Sequence, residues 1–444
     1  MNAASTGLAD IARQVRDQAT ALPDLFGRFD FDRAPERWAP EAEAVSELGG
    51  VRGIDRGAYL DDADLVARIR EYTMLGDSAG DAYAALMPTL GFQRTVAMLV
   101  EACDKGVDAV DDAPTELVAL IREMEARPDW VDMELVEEGA AYERNATANL
   151  APFLIRGAFI ATFLNKYSAL PMALTGTLSH ATAARRVKET ATFFATTALP
   201  GALDRFGQGF KAAAMVRLMH SMVRVNVLSR PGMWDADTYG VPIPQLDQMP
   251  AGLIPVYFLS QDLLKAGRTE FNRVERGRVE LARYRCFLLG LPQDLLADTP
   301  QEIVRIWRTR SATLRYEYDD PVCGGLLRAT MEAELSNDPS PAGRVKRRLE
   351  RSVSRVFFVK AFLNGDAESA KGIGVPIGRR DTLIYGATMI ALAGRMVAYR
   401  VASRVPGLRH LADRRLVRRI NRQLASYGRA DFQSDAAHYR PATA

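Results

Sequence analysis

Apolar residues recur at three- and four-residue intervals along almost the entire chain, and proline or glycine breaks the pattern every few turns. Stretches such as DAYAALMPTLGFQRTVAMLVEA, TELVALIREMEA and QEIVRIWRTRSATLRYEY are rich in Ala, Leu, Glu and Arg at helical spacing. The breaks fall at Pro114, Pro128, Pro171, Pro200–Gly201, Pro231–Gly232, Pro292 and Pro300. Only AGLIPVYFLS, residues 251–260, reads as a strand, and one isolated strand builds no sheet. GIGVPIG at 372–378 lacks the strand and spacing of a dinucleotide loop, so it is read as a loop before a helix starting near Asp381. The fold class expected is all-α.

With 444 residues the chain has room for a large core or for two or three domains. Soft boundaries near RPDWVD and SNDPSPAG suggest an N-terminal helical segment (1–125), a core (126–335) and a C-terminal helical extension (336–444). The net charge of +2 gives no overall field for nucleic acid. The cysteines Cys103, Cys286 and Cys323 are scattered, which argues against a disulfide framework or a cysteine zinc site. No secretory signal is expected, and the apolar segments 151–165 and 383–394 are bounded or interrupted by Arg156, Lys166 and Arg395. Neither reaches the roughly 20 residues of a spanning helix, so a cytoplasmic or membrane-peripheral protein is expected. From Arg395 to Arg422 nine arginines face one acid, Asp413. That tail reads either as a solvated helix pair or as a basic face for an anionic membrane or acidic partner.

Two constellations can carry chemistry. On a helix Arg217, His220 and Arg224 share one face, being spaced i, i+3, i+7. An imidazole between two guanidinium groups suits haem, whose iron takes an axial histidine and whose propionates attract cations. The competing reading is a hydrogen-bonded core histidine, with both arginines paired to acids on a neighbouring helix. In ATAARRVKETATFFATT, Arg186, Glu189 and Thr190 sit at i, i+3, i+4, with Phe193 and Phe194 one turn on. This face can line an oxygen-binding pocket, or Arg186 and Glu189 can form an intrahelical pair worth a few tenths of a kcal/mol (about 0.2–0.5). No acid occurs between Glu143 and Glu189, so a carboxylate base from this central region has to be Glu189. A phosphate loop and H-E-x-x-H are absent, and four histidines are too few for a multi-histidine metal site.

These constellations and their surroundings resemble the latex-clearing protein (rubber oxygenase) family and its wider relatives, which include the oxygenase of the mycophenolic acid pathway. The resemblance starts at Arg127-Pro-Asp-Trp130-Val-Asp132 and passes through Leu174-Thr-Gly176, Arg186 and Thr190. It continues through Arg217-Leu-Met-His220 and Arg224 to Trp234-Asp235, Gly240-Val-Pro-Ile-Pro-Gln245 and Asp247, covering roughly residues 126–300. It implies a globin-like helical core, with added N- and C-terminal helices, that binds haem b non-covalently. His220 matches the proximal iron ligand, Arg217 and Arg224 its flanking arginines, and Arg186 and Thr190 the distal side where dioxygen binds. The implied reaction is dioxygen-dependent cleavage of a C=C bond in a small hydrophobic isoprenoid or lipid, giving two carbonyls. The chain departs from rubber oxygenases in two ways. Glu189 stands where they carry a lysine, with Lys188 about 100° around the helix. The carboxylate they supply from the preceding helix is also missing. These departures keep open a haem peroxidase or hydroxylase, and a non-catalytic haem- or lipid-binding protein.

Overall fold

Helices form where this pattern requires them, and some of their N-termini are held by side-chain caps, as at Asp77, Ser179 and Ser340. The protein's computed structural model describes residues 7–48, 54–176, 179–336 and 338–428. Among them there is no β-strand, only isolated bridges between Trp38 and Leu314 and between Ser46 and Arg315. In chain order the framework includes α1 (Ser78–Ala85), α2 (Thr115–Glu125), α3 (Ala151–Ala161), α4 (His180–Thr197) and α5 (Gln208–Leu228). It continues with α6 (Gln248–Lys265), α7 (Gly325–Glu332), α8 (Pro341–Phe362), α9 (Arg379–Arg404) and α10 (Leu408–Tyr427).

Residues 251–260, expected as a strand, lie inside α6. Leu253, Val256, Tyr257 and Ser260 are buried at three- and four-residue spacing together with Gln248, Met249 and Gly252. Burial along one helical face outweighs the strand preference of Val256 and Tyr257, and Pro255 is accommodated inside the helix.

The described chain divides into two compact units, each drawn from two stretches of the sequence. One takes residues 7–139 and 203–317, the other 140–202 and 318–428. The two sequence signals read as boundaries are helix caps. Asp132 accepts from the backbone N–H groups of Glu134 and Leu135, and Ser340 accepts from that of Gly343, with Pro341 in the first turn of α8. Capping residues and linkers share a composition, so composition alone does not separate them.

In the second unit α3 packs on α8 and α8 on α9. Arg156, which interrupts the apolar run in the sequence, is 1% exposed and forks onto Glu350 with two bonds of 2.9 Å. Gly157 follows it because the helices approach closely: a Cβ there would lie 2.6 Å from the Ser354 carbonyl oxygen and 3.0 Å from the Phe357 ring. Gly157→Ala therefore has to separate α3 from α8. It is expected to destabilise the fold by about 1–3 kcal/mol in denaturant melts; unchanged stability would show that the contact relaxes freely.

Candidate functional site

Helix α5 carries His220 and is buried on most sides, including Phe210, Ala213, Leu218, Met222, Val225 and Val227. Arg217 and Arg224 lie in that buried surface at 3% and 1% exposure. A guanidinium so deep needs partners, and α1 supplies them. Arg217 donates from Nε to Asp77 Oδ2 at 2.5 Å and from Nη2 to Asp77 Oδ1 at 2.8 Å, and it also pairs with Glu123 on α2. Arg224 Nε donates to both oxygens of Asp81 at 2.7 and 2.9 Å, while its other nitrogens reach the Ile243 carbonyl and Ser221 Oγ. Asp77 doubles as the N-cap of α1, accepting from the Gly80 N–H at 2.9 Å. Gly80 lets α1 approach α5, since a Cβ there would sit 2.6 Å from Ser221 Oγ. Of the two readings open for these arginines, the structure displays the pairing with acids on a neighbouring helix.

The four charges are unequally satisfied. Burial opposes ionisation of Asp77, but Arg217, Arg224 and the Gly80 N–H outweigh it and hold the carboxyl below its usual range. Burial pushes the Asp81 carboxyl up to about 6, with the charge of Asp77 adding to the rise and Arg224 opposing it. Between the ordinary carboxylate range and pH 6 the folded protein then binds a proton at Asp81 that the unfolded chain lacks. That group's contribution to stability is complete at low pH and is lost as pH rises through about 6; Asp77 contributes with the opposite sign, losing stability as pH falls. A protonated-carboxyl infrared band titrating near pH 6 is expected in the wild type and absent in Asp81→Asn. Its persistence in the variant would assign the proton elsewhere.

His220 itself is half-buried. Its Nδ1 lies 2.9 Å from the side-chain amide nitrogen of Gln248, the first residue of α6. That contact fixes the ring's rotation. The two faces of the amide select opposite tautomers: an amide N–H donates to an unprotonated Nδ1, whereas the amide carbonyl, after a half-turn, accepts from Nδ1–H and puts the ring's lone pair on Nε2. Among the described residues no three His, Cys, Asp or Glu side chains converge as a metal site. A donor set of one oriented imidazole fits a metal that brings its own equatorial ligands, as haem iron does.

Arg186, Glu189 and Thr190 lie in the second unit, on α4, and His220 lies in the first. Arg186 Nη1 donates to Glu189 Oε2 at 2.9 Å, both side chains being 5% exposed, so the intrahelical pair read as an alternative is formed. Thr190 is half-buried, and the rings of Phe193 and Phe194 meet edge to face with centroids 5.2 Å apart. Glu189 also lines a cavity of about 450 Å³ with His180, Arg185, Lys188, Thr192 and Tyr427. Thr192 Oγ1 and Arg185 Nε are buried there with no hydrogen-bond partner. The departure noted in sequence is visible in this lining, which presents Lys188 and Glu189 together.

A family model described as "ER-bound oxygenase mpaB/B'/Rubber oxygenase, catalytic domain" matches residues 144–394, more than half of the chain. The chain belongs to this family. The matched span contains all six candidate residues; it begins after the Arg127–Asp132 motif and extends past residue 300, the end of the resembling stretch, to residue 394. As a rubber-oxygenase relative it also shares a fold with a solved structure. The closed state of latex clearing protein matches it with a TM-score of 0.54 at 16% identity, over 86% of this chain and 95% of that one. Among curated protein sequences none matches it.

In this oxygenase two residues of the resembling motifs outside α4 and α5 make structural contacts. Trp234 Nε1 donates to the Gly240 carbonyl at 2.6 Å, and Asp247 pairs with Arg37 and Arg310. Asp77, Asp81, Glu123 and Gln248 were not anticipated from the sequence. The signal for two of them is present: GDSAGD places two acids one helical turn apart at a helix start, complementing arginines two turns apart on α5. Gln248 has no comparable signature.

Proposed function

We propose that this oxygenase is haem b-dependent and cleaves a C=C bond of a hydrophobic isoprenoid or lipid with dioxygen. The observation that carries this reading is His220, a single half-buried imidazole whose Nδ1 is held by Gln248 within the span matched by the oxygenase family. His220 Nε2 would hold the iron, with the Gln248 carbonyl accepting from Nδ1–H. Bound haem would supply the redox chemistry that activates dioxygen. Arg217 and Arg224 serve by locking α5 to α1 through Asp77 and Asp81, so that the ring is carried on a fixed backbone.

Glu189 is the proton acceptor in this reading. Arg186 Nη1 donates to its Oε2 and orients the carboxyl group. The cavity on which Glu189 opens is lined by acids, bases and a phenol, which suits water and proton exchange rather than an isoprenoid chain. Thr190, one residue on and half-buried, is the hydroxyl available to orient the oxygen side of the reaction.

A specific feature, the buried carboxylate at 189 in place of a lysine, favours a second reading, haem-dependent hydroxylation or peroxidation of an apolar substrate. One experiment separates the two. Hemin-loaded, reduced protein is incubated with polyisoprenoid or squalene-like compounds under ¹⁸O₂. Cleavage is expected to give two carbonyl products that both carry label; a single labelled hydroxyl, or turnover driven only by peroxide, would favour the second reading. No oxidised product with any of these substrates would leave a haem- or lipid-binding protein.

A further inference from the structure

We propose that the outer face of α9, with the arginines around it, docks on an anionic lipid bilayer with the helix lying in the plane of the interface. This inference does not depend on haem or on the identity of the oxygenase substrate.

Helix α9 runs from Arg379 to Arg404 and is long and apolar enough to cross a membrane, by length and composition. The sequence expectation ended its apolar segment at Arg395, but the helix continues through that residue and through Arg400. Only 6% of its apolar window is buried, so it is not a core helix. The exposed side chains fall on one stripe. Leu383 is 74% exposed, Ile390 76%, and Val397 and Val401 54% each. Their spacing of seven, seven and four residues keeps them within one face, and Ala387, Gly394 and Ala398 fill the same stripe. No charged residue occurs from Thr382 to Gly394. The stripe is about 27 Å long, and Val405, Leu408 and Leu411 extend it into α10 at 41–50% exposure. A contiguous apolar surface of this kind marks a docking site.

The opposite side of α9 is pinned to the protein. Ser352 Oγ donates to Asp381 Oδ1 at 2.7 Å, Lys360 lies over the Tyr385 ring, and Asn145 Nδ2 donates to the Met396 carbonyl at 2.9 Å. A helix held along its length cannot thread through a bilayer, and threading would also bury Arg395 and Arg400. An in-plane orientation satisfies both constraints.

Charge selects the occupant. Arg379 and Arg380 stand at one end of the stripe, Arg400 and Arg404 at the other, and Arg409 follows on α10; all five are exposed. None forms an ion pair among the described residues. An anionic surface meets all of them with favourable sign. A second copy of the chain would bring arginine against arginine, whichever way the two helices ran.

The full-length chain is sedimented with phosphatidylcholine vesicles and with vesicles that also contain phosphatidylglycerol. Binding is expected to favour the anionic vesicles by at least about tenfold and to weaken with salt. Leu383→Asp with Ile390→Asp is expected to abolish it, and Arg379→Gln with Arg380→Gln and Arg404→Gln to remove the anionic preference. Because these side chains are exposed, far-UV circular dichroism and melting temperature should match the wild type. Equal binding by wild type and variants, or no vesicle binding at all, would overturn the proposal. A dimer in sedimentation velocity that Ile390→Asp dissolves, without vesicle binding, would make the face an interface between copies. Retention in vesicles after alkaline carbonate would make α9 a spanning helix.

Discussion

Replacing His220 by alanine is expected to abolish haem retention. Wild-type protein given hemin and passed through a desalting column should keep a Soret band, and His220→Ala should lose it. The reason lies in the proposed donor set: a single imidazole nitrogen would hold the iron, and among the described residues no cluster of three His, Cys, Asp or Glu side chains forms a metal site in its place. Gln248→Leu tests the neighbouring group. Loss of such an orienting partner typically weakens a metal site about 10–100-fold, so this variant should bind hemin weakly rather than not at all. Gln248→Glu, which can only accept from Nδ1–H, should retain it. Identical hemin uptake by wild type and His220→Ala would remove His220 as the ligand and with it the haem-dependent mechanism, while leaving family and fold untouched.

Arg217→Met is expected to cost stability before it costs haem. Asp77 is 2% exposed and bonded to Arg217 through both oxygens. Removing the guanidinium leaves that carboxylate buried with only Arg224 and the Gly80 N–H to compensate. Breaking one side of a buried pair typically costs about 3–5 kcal/mol. The paired change Arg217→Met with Asp77→Leu should recover much of this, apart from the lost helix cap, worth about 1 kcal/mol. Hemin affinity measured on the folded fraction should change little. A variant that keeps its melting temperature but sheds haem would show the opposite, namely that Arg217 serves a propionate directly.

The all-α class was legible because helical periodicity is a local property, repeated from Leu8 to Tyr427 and contradicted only by the short run at 251–260. The position of His220 between Arg217 and Arg224 was equally legible, since i, i+3, i+7 spacing fixes a shared face whatever surrounds it. What occupied that face was not. Asp77 and Asp81 lie about 140 residues away in the chain, and Glu350 lies 194 residues from Arg156. Nothing local in an arginine distinguishes one that waits for a ligand from one already neutralised.

The sequence by itself determined helix and face: which residues turn together and which side chains share a side, although Pro171, read as a break, lies inside a helix. The tertiary structure alone decided the partners. It gave Arg217 and Arg224 to carboxylates of α1, placed Gln248 against the imidazole, and left the apolar side of α9 uncovered. Periodicity is set by backbone geometry within a few residues. Charge pairing and burial are set by which distant surfaces meet, and that depends on the packing of the whole chain.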